Sequence, residues 1–348
     1  MTKKNILYCI GTEYQLLLSI AIATDKYSDK NKFNNIFILK KSATRLDSIL
    51  RLEVLDFALE SYIIEIDLKD YTPSTRIKKE LNTIINREIH VFFYYLEIDP
   101  ISIYLVDKMR AKGSRICLGQ DGLKAYEKLS PIPFYFRLKV TFLRYIYFIS
   151  KGMKVSHIYF YKNGYTNYKC NDELWLTHPE CFVNNKYNKK IQKINTEKLN
   201  GIQEKLIEVF DLNNYNHLIT NSDIIYINQP LQKKVLDFEC NNILNKLSES
   251  GKVIIKLHPQ TSDYAISQYK RIRNTTLLMS KAPAEVLIST LSGKKILSPW
   301  STTLLTDNPR CDFFWLYPLL IRMKLVSKIN LPMMPEHIRL ITDMEQIG

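Results

Sequence analysis

Short apolar runs alternate with stretches of helical apolar spacing from the start of the chain to about residue 120. The runs predict strands at 5–10, 35–39, 61–67, 91–96 and 114–118, and the 3.6-residue period predicts helices at 13–25, 45–59, 75–88 and 100–112. Strands that alternate with helices in this way form βαβ units, whose strands lie parallel in one sheet. From about Asn221 the rhythm resumes, with strands predicted at 224–227, 252–256, 276–279, 295–297 and 312–315 and a helix at 232–249. Between the two, residues 131–192 crowd aromatics with cations and follow neither period. The expected fold class is therefore α/β, with two Rossmann-like domains facing across a cleft. The N-terminal one spans 1–215, with 131–192 inside it, and the C-terminal one spans 216–348. Neither carries a G-x-G-x-x-G or a Walker loop.

The first residues imitate a secretory signal, since Lys3 and Lys4 precede an apolar run from Ile6 to Ala23. Glu13, Tyr14 and Gln15 interrupt that run, and a buried strand, a turn at Gly11-Thr12 and a helix from Glu13 account for it better. Pro133 to Ile149 contains Arg137, Lys139 and Arg144, so no membrane span is expected there.

At 348 residues the chain is long enough for two domains with a core each, and 46% hydrophobic residues exclude a disordered tail protein. The six cysteines show no C-x-x-C and no Cys/His cluster of zinc spacing, so they are expected to be reduced thiols in a cytoplasmic protein with no metal site. The excess of 49 Lys and Arg over 35 Asp and Glu gives a net charge of +14. The cations are dispersed and no helix-turn-helix, zinc or RNP pattern is present, so nucleic-acid binding is a subordinate reading. An anionic membrane surface at the inner face of the cell membrane suits the charge better, with Phe134 to Lys154 as the candidate patch, a segment that reads equally as a helix packed between the domains.

In open parallel sheets ligands bind beyond the carboxyl ends of the strands, so residues just after each predicted strand are the candidates for chemistry. Gly119-Gln120-Asp121-Gly122 puts a carboxylate on a glycine-flanked turn, where it can serve as a general base or simply make the turn. Lys256-Leu257-His258-Pro259 ends a β-rich run, and Pro259 holds His258 in extended backbone at the strand mouth. A second His-Pro, His178-Pro179, follows a polar stretch and is the weaker candidate. Ser301, Thr302 and Thr303 form a hydroxyl-rich turn that suits either a helix cap or a phosphate, and Glu285 opens the preceding helix. Glu65-Ile66-Asp67 and Glu97-Ile98-Asp99 have acid-x-acid spacing but read as chance matches at strand ends.

These residues together resemble the bacterial sialyltransferases, especially glycosyltransferase family 52 and the capsule polysialyltransferases. Asn5-Ile6-Leu7-Tyr8-Cys9 with Thr12-Glu13-Tyr14-Gln15-Leu16 is similar to their first strand and Thr-Pro-x-Gln-Leu turn, with Glu13 in the place of Pro. Gln120-Asp121-Gly122 resembles the acid-acid-Gly motif, with Gln120 replacing the first acid. Lys256-Leu257-His258-Pro259 resembles the His-Pro motif, and Ser301-Thr302 the Ser-Ser/Thr pair.

The resemblance implies a GT-B fold and an inverting enzyme that moves sialic acid from CMP-sialic acid to a hydroxyl of a surface glycan, capsule or lipooligosaccharide, including lipid-linked acceptors. It implies Asp121 as base, His258 at the leaving phosphate, and Thr12, Gln15, Lys256, Pro259, Glu285, Ser301 and Thr302 around the donor. No metal or other cofactor is expected. The alternative is a GT-B enzyme using another nucleotide sugar, either a different CMP-linked nonulosonate or a UDP-sugar.

Overall fold

The computed structural model describes residues 2–41, 47–65, 67, 69–95, 99–127, 133–161, 170–183, 189–212, 221–258, 260–280, 282–328 and 334–347. The chain divides into two compact units, Met1–Gly201 and Ile202–Gly348. The sequence places that boundary at 215/216 instead. Helix Gln203–Val209 groups with the second unit, where Gln203 Nε2 donates to the Ser289 carbonyl at 2.8 Å.

The sheet of the first unit contains β1 (Lys4–Ile10), β2 (Phe33–Lys41), β3 (Ala58–Glu65), β4 (Val91–Tyr94), β5 (Arg115–Gly119), β6 (Glu173–Leu176) and β7 (Lys190–Lys193). All are parallel, in the order β3-β2-β1-β4-β5-β6-β7. The second sheet contains β8 (Ile224–Ile227), β9 (Val253–Lys256), β10 (Thr275–Leu278), β11 (Lys295–Ser298), β12 (Asp312–Trp315) and β13 (Ile338–Leu340). It is also parallel, in the order β10-β9-β8-β11-β12-β13. The expected two-domain α/β, GT-B-like architecture is present. Strands β4, β8 and β9 are buried at every position, and β1 is buried from Ile6 to Ile10, as strands covered on both faces must be.

Three sequence expectations need correction. The helix at 45–59 is a 3₁₀ stretch, Asp47–Val54, that leaves helical geometry at Arg51, and the chain is already β3 by Ala58, paired with Asn35 of β2 (residues 45–46 lie outside the described set). Strands β6, β7 and β13 were not legible, because β7 is a short polar edge strand, β13 is an edge strand of three residues, and β6 carries the buried Glu173, whose carboxylate accepts from Trp175 Nε1 at 3.0 Å. Residues 131–192 are therefore more than a connection. They add two strands to the first sheet and a helix, α4 (Phe134–Ser150).

The third correction concerns charge on α4. Arg144 is 3% exposed and donates to the Tyr159 carbonyl, and Lys151, 1% exposed, pairs with Asp70 at 2.8 Å. Neither faces solvent. Phe134, Tyr135, Leu138, Phe142 and Ile149 do, and Lys139 and Lys154 are exposed beside them. No helix among the described residues is long and apolar enough to cross a membrane.

The turn after β5 hangs on one buried amide. Gln120 Oε1 accepts from Tyr126 Oη at 2.5 Å, Thr177 N at 2.9 Å and Thr177 Oγ1 at 2.9 Å, while its Nε2 donates to Tyr14 Oη at 2.8 Å. Tyr14 belongs to α1 (Glu13–Lys26) and Thr177 follows β6, so Gln120 ties three elements together. Both flanking glycines are required. A Cβ on Gly119 would lie 2.2 Å from the Tyr95 ring, and Gly122 has φ of 77°, which favours glycine.

In the second unit, a helix beginning at Lys233 passes through a π-helical stretch, Glu239–Leu244, before Asn245–Ser250. Glu239 sits beneath the sheet and accepts hydrogen bonds from Tyr226 and, at 2.6 Å, from Tyr269. Burial pushes its carboxyl up to about 7 against those two bonds, which pull it down.

Two expectations follow. Replacing Gln120 with Leu leaves three donors without their acceptor and should lower unfolding free energy by about 2–4 kcal/mol in urea titration; a loss under 1 kcal/mol would show that the network is dispensable. For Glu239 the folded pKa lies above the unfolded one, so its contribution is complete at pH below about 4.5 and is lost as pH rises through about 7. The stability of the wild type relative to Glu239→Gln should therefore fall by on the order of 2–3 kcal/mol between pH 4 and pH 8. A pH-independent difference would contradict this.

Candidate functional site

In the first unit the strand order reverses between β1 and β4, and the candidate residues collect at the carboxyl ends around that point. Thr12 caps α1, its hydroxyl accepting from Gln15 N at 3.2 Å. Gln15 is buried; its Oε1 accepts from Gly11 N at 2.7 Å, which turns its Nε2 toward Asp121 Oδ1 at 2.8 Å. The carboxylate is thus aimed by a neutral amide. Two stretches of the resemblance, 106 residues apart, meet twice here, through Gln15 with Asp121 and Tyr14 with Gln120.

Beside them lies a buried ion pair that sequence reasoning missed. Lys40, at the end of β2, pairs with Asp99 and donates to Ser102 Oγ at 3.0 Å. Asp99 caps α3 (Pro100–Ala111), accepting from Ile101 N at 3.1 Å and Ser102 N at 3.2 Å. Burial alone would pull the Lys40 ammonium down, but Asp99, Cys9 and Asp121 carry it above its usual range. Burial would raise Asp99, and Lys40 and Ser102 hold it below the usual carboxylate range. The acid-x-acid spacing pointed at Asp99, but as a chance match. The signal was its place directly before Pro100, an N-cap followed by proline. Glu97 lies outside the described residues.

The second unit gathers its candidates in the same manner, with the strand order reversing between β8 and β11. His258 follows β9 and is half-buried; its Nδ1 accepts from Gln260 N at 3.1 Å, which leaves the proton of the neutral ring on Nε2. Pro259 lies outside the described residues. Lys256 is buried, and its ammonium donates to the carbonyls of Leu257 and Ser280, so it ties β9 to the loop after β10.

Ser301 takes the cap position, its hydroxyl accepting from Thr303 N at 3.2 Å and donating to Thr303 Oγ1 at 2.8 Å. Thr303 then donates to Glu285 Oε1 at 3.1 Å, with Thr302 farther away at 3.5 Å. Burial raises the Glu285 carboxyl, against Thr303, Lys256 and Thr302. The buried partner of Ser301 is therefore Thr303, and Thr302 is the half-buried hydroxyl of the turn.

The structure removes one ground for ranking the two His-Pro dipeptides. His178 also closes a sheet strand, β6, and is buried with Nδ1 2.9 Å from Glu180. The remaining distinction is that His258 is more exposed. Asn228, directly after β8, was also missed; its Oδ1 accepts from Thr261 Oγ1 at 2.5 Å and His258 N at 3.4 Å. The strand-end rule applied to Ile224–Ile227 would have found it. The six cysteines are free thiols, and no group of three His, Cys, Asp or Glu side chains among the described residues is placed to hold a metal ion.

The chain is similar in fold to a 2,6-sialyltransferase of the Vibrionaceae Photobacterium sp. JT-ISH-224, solved with CMP and lactose. The TM-score is 0.53 at 12% identity, over 98% of this chain and 78% of that one. It is comparably similar to S. aureus MnaA solved with UDP, with a TM-score of 0.52 at 12% identity, over 99% of this chain and 86% of that one. No curated protein matches the sequence significantly. The family model described as Alpha-2,8-polysialyltransferase (POLYST) matches residues 6–310, a span that takes in the first sheet, β8 to β11 of the second, and the Gln15, Asp121, His258, Glu285 and Ser301 positions. The chain therefore belongs to the alpha-2,8-polysialyltransferase family and is a glycosyltransferase of the GT-B type.

Proposed function

We propose that the protein transfers sialic acid from CMP-sialic acid to a hydroxyl of a surface glycan, with inversion at the anomeric carbon. The observation that carries this reading is the hydrogen bond from Gln15 to Asp121, which joins two motifs of the resemblance at one strand-end position. Asp121 takes the acceptor hydroxyl's proton as its oxygen bonds to the anomeric carbon. The bond from that carbon to the phosphate oxygen breaks, and CMP leaves with the electron pair. His258, through Nε2–H, and the half-buried hydroxyl of Thr302 meet the departing phosphate, Ser301 holds that turn through its bonds to Thr303, and Glu285 accepts from the donor's ribose hydroxyls. Thr12 and Gln15 order the turn beside Asp121 on the donor's side, and Lys256 holds the loops that present the other donor contacts.

Donors of another kind form the second reading. None of these groups reads a base, and MnaA, of like fold, was solved with UDP. A different CMP-linked nonulosonate or a UDP-sugar would use the same phosphate contacts.

We also infer that α4 rests on the anionic inner face of the cell membrane, where a lipid-linked acceptor is held. Phe134, Tyr135, Leu138, Phe142 and Ile149 offer an exposed apolar stripe, and Lys139 and Lys154 lie beside it.

Asp121→Ala should lower turnover on the order of a thousandfold with nucleotide binding intact, as expected for a lost general base. His258→Ala should weaken CMP binding and turnover together, and His178→Ala should change neither. Near-normal turnover of Asp121→Ala would remove it as base. Nucleotide release measured across CMP-, UDP- and GDP-sugars separates the two donor readings, and release from UDP-sugars alone would reject the first. Binding to anionic vesicles should drop on Phe142→Ser with Ile149→Ser; in the wild type it should weaken with salt, and Lys139→Gln with Lys154→Gln should reduce both the binding and that salt dependence. Unchanged vesicle binding in both pairs would reject α4 as the contact.

A further inference from the structure

The turn that carries His258 is linked to the buried Glu239 by a chain of hydrogen bonds inside the second unit. Glu239 Oε2 accepts from Tyr269 Oη at 2.6 Å, and Tyr269 Oη accepts from Asn228 Nδ2, also at 2.6 Å. Asn228 Oδ1 then accepts from Thr261 Oγ1 at 2.5 Å and His258 N at 3.4 Å, and Thr261 N closes the turn on the His258 carbonyl at 2.9 Å. Asn228 itself stands at the point where the strand order reverses, its N–H bonded to the Lys256 carbonyl at 3.0 Å.

The direction of the chain matters as much as its existence. A phenol has one proton, and Tyr269 gives it to Glu239. Only a lone pair then remains to face Asn228, so the amide must turn its NH₂ toward Tyr269 and its carbonyl toward the His258 turn. The second hydrogen of that NH₂ goes to the Gln229 carbonyl at 2.8 Å, which favours the same orientation. Were Tyr269 free to donate to Asn228, the amide could reverse and present a donor to two donors.

We propose that Glu239, Tyr269 and Asn228 are positioning residues that fix the orientation of the His258 turn and so set the imidazole for the leaving phosphate. The last clause rests on the donor role given to His258 above. Glu239 also binds Tyr226, which comes from β8 and has no recorded bond to Asn228. The two tyrosines thus give a paired comparison. Each phenylalanine variant removes one hydrogen bond from the same carboxyl and keeps the ring, so a role confined to that carboxyl predicts equal effects on His258.

The experiment uses the full chain and four variants, Tyr269→Phe, Tyr226→Phe, Asn228→Ala and Thr261→Val. The His258 imidazole resonances and their titration are followed by NMR without ligand, assigned by their absence in His258→Ala. CMP affinity is measured by calorimetry. Tyr269→Phe, Asn228→Ala and Thr261→Val should shift the His258 signals and weaken CMP binding about three- to tenfold, while Tyr226→Phe leaves both at wild-type values. Thr261 sits in a half-exposed turn, so its variant preserves the test if a core substitution unfolds the protein. Equal effects of the two tyrosine variants on His258, or none from any variant, would overturn the proposal. If the His258 signals shift as expected but CMP fails to bind the wild type, the positioning chain stands and the donor reading falls.

Discussion

A parallel strand covered on both faces has no solvent side on which to carry a polar group, and its backbone is fully occupied by its neighbours. Both sheets obey that constraint, most completely in β1, β4, β8 and β9. The result is a chain whose reactive side chains are displaced to the residues just past the strands. Thr12, Asp99, Asp121, Asn228, His258 and Ser301 all stand there, although they come from distant parts of the sequence. Placement at the carboxyl ends also brings the free N–H groups of succeeding helices and turns alongside them, which accounts for the frequency of capping side chains at Thr12, Asp99 and Ser301.

Several of the polar groups that enter the interior are held in closed sets of partners. Lys40 with Asp99 and Ser102, Gln120 with Tyr14, Tyr126 and Thr177, and Glu239 with Tyr226 and Tyr269 are the principal cases. Such sets contribute little net stability compared with an apolar core, but losing one member leaves the others unsatisfied. They act as geometric restraints. Each of the three touches an element that ends at a candidate site residue, and Gln120 does so with an uncharged group directly before Asp121. A carboxylate in its place would put a second negative charge next to Asp121, and the amide avoids this while still accepting three hydrogen bonds.

Family membership and chemistry stand on separate grounds. The match over residues 6–310 assigns the family, and the similarity of fold to enzymes solved with CMP and with UDP shows that one architecture serves both nucleotides.

Much of the architecture was present in the linear pattern. Continuous apolar runs such as Ile6–Ile10 and Ile224–Ile227 can be satisfied only between two covering layers, and their alternation with helices leaves parallel sheets as the solution. The same reasoning pointed to Asp121, His258 and Ser301, because a residue after a buried strand has a place determined by local order alone. Short edge strands such as β7 and β13 were not readable, since an edge needs no long apolar run and is recognised only by its partner. Nor could local pattern show that Arg144 and Lys151 would be buried, that Gln15 would aim Asp121 from 106 residues away, or that Glu239 would connect to the His258 turn. Those outcomes depend on which side chain supplies the missing donor or acceptor across the packed interior. Sequence determined where polar groups had to leave the sheets, and tertiary structure decided their partners, because hydrogen bonds are satisfied in space and carry no signature of their separation along the chain.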